Sequence, residues 1–122
     1  MKGDVARALL AAERAADSGR LRAEFRFEPD CAVFGGHFPG RPLVPGALEI
    51  EMVRCALEAV AGAQEITGIR RAKFVGEIRP GDLVVLEAAI AESGSAERTV
   101  KAELRVGADL KASLTVAMRS KP

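Results

Sequence analysis

Tryptophan and tyrosine are absent from this 122-residue chain, and its five phenylalanines are its only aromatics. A base-stacking nucleic-acid surface therefore has little to be built from. An excess of one charge is also missing. Lys and Arg total 18 against 17 Asp and Glu, a formal charge of +1. That balance removes the global electrostatic case for nucleic acid or an anionic membrane as a partner. Histidine occurs once, at His37, and cysteine twice, at Cys31 and Cys55. With no Cys-x-x-Cys pair, a zinc site lacks its ligands, and both thiols read as reduced core residues rather than a disulfide scaffold. No apolar run approaches the ~18 residues needed to cross a bilayer. The start, Met1-Lys2-Gly3-Asp4, lacks the charged-then-apolar layout of a signal peptide. A cytoplasmic protein is expected.

What is present is an ordinary globular composition, 48% hydrophobic and 29% charged, in a length that fits a single domain over 1–122. Residues 1–17 read as an N-terminal helix, with Val5, Ala8, Leu9 and Ala12 at helical spacing, Asp4 as N-cap and Asp17-Ser18-Gly19 as the stop. From Leu21 to Glu28 apolar and charged residues alternate, which predicts a half-buried strand. Pro29 to Pro45 is dense in proline and glycine and reads as a shaped loop. Gly46–Ala61 is a central helix closed by Gly62; it is apolar nearly all the way round and therefore expected to be buried on most sides. Strands are expected over Ile66–Val75 and Asp82–Glu92. Arg98–Val106 and Leu110–Met118 form a hairpin about Gly107-Ala108-Asp109. The order is that of an α+β protein, one sheet wrapping one long helix.

The residues that carry chemistry lie at the join of loop and helix. His37 sits in a rigid Gly/Pro loop, and Glu49 and Glu51 sit on a largely apolar helix, where desolvation raises the pKa of a buried carboxyl. A histidine and a carboxylic acid in one apolar pocket are the ingredients of general acid–base catalysis. The plainer alternative is a loop histidine bonded to backbone with both glutamates in solvent. Glu49 lies about 160° from Glu51 around the helix and reads as paired with an arginine or reaching a rim. Cys55 reads as a core thiol.

The run from His37 to Glu51, His-Phe-Pro-Gly-Arg-Pro-Leu-Val-Pro-Gly-Ala-Leu-Glu-Ile-Glu, resembles the active-site signature of the 3-hydroxyacyl-[acyl-carrier-protein] dehydratases of fatty acid synthesis, the FabZ/FabA-type hotdog enzymes. Ala72 to Glu87, with Lys73, Phe74 and Pro80-Gly81-Asp82, is similar to a second block of that family. The resemblance covers roughly 21–118. It implies a hotdog fold, an antiparallel sheet curled around a long helix. It also implies dehydration of 3-hydroxyacyl thioesters on acyl carrier protein to trans-2-enoyl thioesters, with no metal and no organic cofactor. His37 would be the catalytic base/acid, and Glu51, protonated in an apolar setting, its carboxyl partner from the other subunit. The Gly46 N–H would polarise the thioester carbonyl. Phe38, Leu43, Val44 and Phe74 would line the acyl tunnel. Arg41, Arg70, Arg71, Lys73 and Arg79 would receive the carrier protein. The assembly implied is a homodimer, or a trimer of such dimers. Cys55 stands where the family has a glutamine that assists the carboxylate, a variation that resembles dehydratases of specialised pathways such as aryl polyene synthesis. A hotdog acyl thioesterase and a non-catalytic acyl-binding or scaffold subunit are the alternatives.

Overall fold

In the computed structural model the described residues are 2–15, 19–29, 44–92 and 96–122. They form, in chain order, α1 (Lys2–Ala8), β1 (Leu9–Arg14), β2 (Arg20–Phe25), α2 (Gly46–Ala61), β3 (Gln64–Phe74), β4 (Val84–Glu92), β5 (Glu97–Val106) and β6 (Asp109–Ser120). The strands make one six-stranded sheet of order β1-β2-β4-β5-β6-β3, with every neighbouring pair antiparallel. The hairpin expected about Gly107 is present, with Val106 opposite Asp109 and Gly107 at φ 59°, the left-handed region that favours glycine.

One face of the sheet is the core. Leu21, Ala23 and Phe25 of β2, Val84, Leu86 and Ala88 of β4, Val100, Ala102 and Leu104 of β5, and Ala112, Leu114 and Val116 of β6 are all buried. Along each strand they alternate with less buried residues, mostly charged in β2 and β5 and polar in β6, the period-two pattern of a sheet buried on one side. Onto this face packs α2, with Met52, Val53, Ala56 and Leu57 fully buried. Replacing one of the larger of these, Leu57→Ala, is expected to cost about 2–5 kcal/mol through lost burial and the cavity left behind. Gly46–Ala61 is helical over the span expected, and its C-terminal Gly62 donates its N–H to the Glu58 carbonyl at 2.9 Å.

The N-terminal segment departs from expectation. The helix stops at Ala8, and Leu9–Arg14 is a strand on the outer edge of β2, Ala12 opposite Ala23 and Arg14 opposite Leu21. Alanine-rich sequence favours a helix only weakly, and an open strand edge offers the same backbone a ladder of hydrogen bonds. A register shift between Leu9 and Ala11 marks the changeover. The proline- and glycine-rich loop lies almost wholly outside the described residues, and His37, Phe38, Arg41 and Leu43 with it, as does Cys31.

At the opposite edge of the sheet, β3 is exposed along most of its length. Ile69 (52% accessible), Phe74 and the following Val75 are the large apolar side chains it shows. Two register shifts, between Ile66 and Gly68 and between Ile69 and Arg71, bend it against β6.

Candidate functional site

The loop returns to described structure at Val44, which is buried and donates its N–H to the Ile78 carbonyl at 2.8 Å. Pro45 then serves as N-cap of α2 in an extended conformation, and no side chain caps the helix. The N–H groups of Leu48 and Glu49 reach the Pro45 carbonyl at 3.0 and 3.2 Å. Those of Gly46 and Ala47 precede the first helical hydrogen bond and have no backbone acceptor among the described residues, at the end of the helix that carries partial positive charge.

Phe74 comes to the same place from β3. It pairs with Ala112, whose side chain is on the buried face, so the ring lies on the helix side of the sheet. The far end of its ring abuts Gly46: a Cβ on that glycine would meet Cζ at 2.9 Å, Cε2 at 3.1 Å and Cε1 at 3.2 Å. Glycine at this position lets the ring approach this closely, its φ being ordinary. Val44, Gly46 and Phe74 are three residues expected at the site that the fold does bring together.

The two carboxylates of α2 have exchanged the settings expected of them. Glu49, expected at an arginine or a rim, is 3% accessible on the core-facing stripe it shares with Met52, Val53 and Ala56. Its Oε1 is buried without a hydrogen-bond partner among the described residues. Desolvation pushes its carboxyl up from 4.5 to about 8, so it is the carboxylic acid of the pair at neutral pH. Glu51, expected protonated in apolar surroundings, is instead an ion-pair partner. Arg54 Nε donates to its Oε1 at 2.7 Å, and a second guanidinium N–H converges on the same oxygen. Arg54 also reaches Glu58 Oε2 at 3.2 Å and the Gln64 carbonyl at 3.5 Å. The hydrogen bond to Glu51 pushes the Arg54 guanidinium above its ordinary value despite burial. Sequence reasoning passed over Arg54, although its spacing of three from Glu51 and four from Glu58 was a readable signal. Cys55, beside it, is a free buried thiol pushed up by burial, which makes it a poor nucleophile.

Among the described residues, Arg70, Arg71, Lys73 and Arg79 do not form one patch. Arg71 and Lys73 pair with Thr115 and Ser113 on the outer face of the sheet, away from α2. Arg70 is held by Glu97 at 3.1 Å, and Arg79 by Glu77 at 3.3 Å. Among the described residues no cluster of His, Cys, Asp and Glu could hold a metal ion, and no helix is long and apolar enough to cross a membrane.

The family model described as ApeI-like, ApeI dehydratase, matches residues 13–113. The chain belongs to this dehydratase family. A curated relative, the 3-hydroxyacyl-[acyl-carrier-protein] dehydratase FabZ of Thiobacillus denitrificans, is 32% identical over 102 residues, covering 73% of this chain and 70% of its own. FabZ of Levilactobacillus brevis is 35% identical over 82 residues, 61% of this chain, and the match spans about half of that relative, 55%. Among solved structures, the dehydratase heterocomplex ApeI:P from Xenorhabdus doucetiae superposes with a TM-score of 0.71 at 20% identity, over 91% of this chain and 96% of that one. A mutant of the fluoroacetyl-CoA-specific thioesterase FlK superposes with a TM-score of 0.68 at 16% identity, over 88% of this chain and 89% of that one. The fold is the hotdog, and dehydratases and thioesterases both occur on it, so the fold does not choose between them.

Proposed function

We propose that the protein is a dehydratase that converts 3-hydroxyacyl thioesters, carried on an acyl carrier protein, to trans-2-enoyl thioesters. The observation that carries the reading is the uncapped start of α2 at Gly46, with the Glu51 carboxylate on the same helix about 7.5 Å further along its axis. A thioester carbonyl accepting from the Gly46 N–H is polarised by a group that needs no rearrangement as the enolate develops. His37 takes the proton from C2. In a syn elimination that hydrogen and the C3 hydroxyl lie on one face, so the imidazolium is within reach of the departing oxygen. The C3–O bond breaks, the oxygen takes the proton that His37 carried, and water leaves with His37 neutral again. Glu51 accepts the hydrogen bond of the C3 hydroxyl and orients it. Val44, Phe74, Phe38 and Leu43 line the acyl site.

The unit we propose is a homodimer in which each His37 works with the Glu51 of the second copy. Support comes from β3, an 11-residue strand at the sheet edge among the described residues, with exposed Ile69, Phe74 and, just beyond it, Val75, the kind of edge that a second strand covers. Arg71 and Lys73 on the outer face offer cations to an acidic carrier protein. The test is incubation with 3-hydroxyacyl thioesters of several lengths, on carrier protein and on coenzyme A. Appearance of the enoyl product supports the reading. Hydrolysis to free acid without enoyl product would replace it with a thioesterase.

A further inference from the structure

We propose that Arg54 is a positioning residue for the Glu51 carboxylate, an inference that rests on the dehydratase reading above. Both Arg54 donors that reach Glu51 converge on one oxygen, Oε1. The other oxygen, Oε2, has no hydrogen bond among the described residues. The Glu51 side chain keeps 10% of its surface accessible. Glu51 is thus gripped by one oxygen and presents the other, which is the arrangement needed to receive a substrate hydroxyl from a fixed direction.

The grip is itself anchored. The side chains of Arg54 and Glu51 are 13% and 10% accessible. Glu58, one turn further along α2, and the Gln64 carbonyl at the start of β3 hold the rest of the guanidinium. A planar fork with five donors can bind these three acceptors at once, whereas a lysine ammonium at the same place is a point charge on a mobile stem. A charge-assisted pair at this burial fixes a rotamer far more firmly than an exposed pair would. Arg54 does not touch the reacting atoms. Its effect on the reaction passes through the direction in which Oε2 points.

The experiment compares wild type, Arg54→Ala and Arg54→Lys for turnover, KM, thermal unfolding and oligomeric state. Arg54→Ala should lower kcat by roughly 10–100-fold, the scale on which small misplacement of a catalytic group acts, with KM changed by less than about threefold. Methylguanidinium added to Arg54→Ala should recover part of the lost kcat, and Arg54→Lys should fall between the two. Should Arg54→Ala fail to fold, Arg54→Lys carries the test through the same kcat-against-KM split. Unchanged kcat in a folded variant overturns the proposal. So does a loss that tracks the melting temperature and that neither methylguanidinium nor lysine relieves, which is the signature of a purely structural clasp. Absence of dehydration by the wild type overturns instead the reading on which the proposal rests.

Discussion

Replacing Glu49 by glutamine should make the protein more stable, and by an amount that depends on pH. The folded chain holds this carboxyl at about 8 and the unfolded chain near 4.5. At about 1.36 kcal/mol per unit, the fully titrated difference is roughly 5 kcal/mol, of which about 3 kcal/mol is present at pH 7. The sign follows from proton binding. Between pH 4.5 and 8 the folded chain retains a proton that the unfolded chain has released, so this group makes stability fall as pH rises through that window and leaves it flat outside. Glutamine keeps the volume and a hydrogen-bonding amide but does not titrate. Urea unfolding of wild type and Glu49→Gln at pH 5, 6, 7, 8 and 9, at one fixed protein concentration, isolates the effect, because every other titrating group cancels in the difference. The advantage of the variant should grow by roughly 4 kcal/mol from pH 5 to pH 9. A difference that stays level across that range refutes the reading of Glu49 as a buried carboxyl held protonated by desolvation.

Gly46→Ala places a methyl 2.9 Å from Phe74 Cζ. Because the ring is half-exposed and has room to swing, the cost should lie near the low end of overpacking, about 1 kcal/mol in a thermal or urea melt, and Gly46→Ala with Phe74→Ala should remove it. His37→Ala should lower turnover by roughly 10²–10⁴-fold, the usual worth of a positioned general base, with the melting temperature unchanged; full activity in the folded variant would end the dehydratase reading. Ile69→Lys puts a charge on the exposed edge of β3, and sedimentation should then show monomers where the wild type shows dimers. A wild type that is monomeric at micromolar concentration would overturn the shared site.

The parts of the fold that sequence made legible are those where local pattern and tertiary demand agree. Gly46–Ala61 carries good helix formers between Pro45 and Gly62, and the hairpin at Gly107 carries clean alternation, so local preference and packing select the same conformation. Leu9–Arg14 is the opposite case. Its alanines and Glu13 favour a helix in isolation, and only the open edge of β2, which does not exist until the sheet forms, selects a strand. The basic residues failed for a related reason. Arg70, Arg71 and Lys73 are neighbours in sequence, but strand geometry and the register shift at Arg71 put Arg71 and Lys73 on the outer face and leave Arg70 at the shift, against Glu97. Gly46 and Phe74 were legible as separate residues, but their contact was not, because it depends on how β3 crosses the start of α2.

Glu49 and Glu51 carry this argument to its sharpest form, since they differ by two positions on one helix and have opposite electrostatic fates. The 100° turn per residue sends Glu49 into the core, where its Oε1 has no hydrogen-bond partner among the described residues. The same turn leaves Glu51 three positions from Arg54, on the flank where a guanidinium reaches it. Composition and hydropathy score the two residues identically, and only the rotation of the helix against the sheet separates them. A buried acid whose Oε1 finds no partner among the described residues costs stability over the pH range of ordinary function, whereas the clasped carboxylate is held in place by Arg54. The chemistry of the site belongs to the second of these, because a carboxylate can direct a substrate hydroxyl only when its own orientation is fixed.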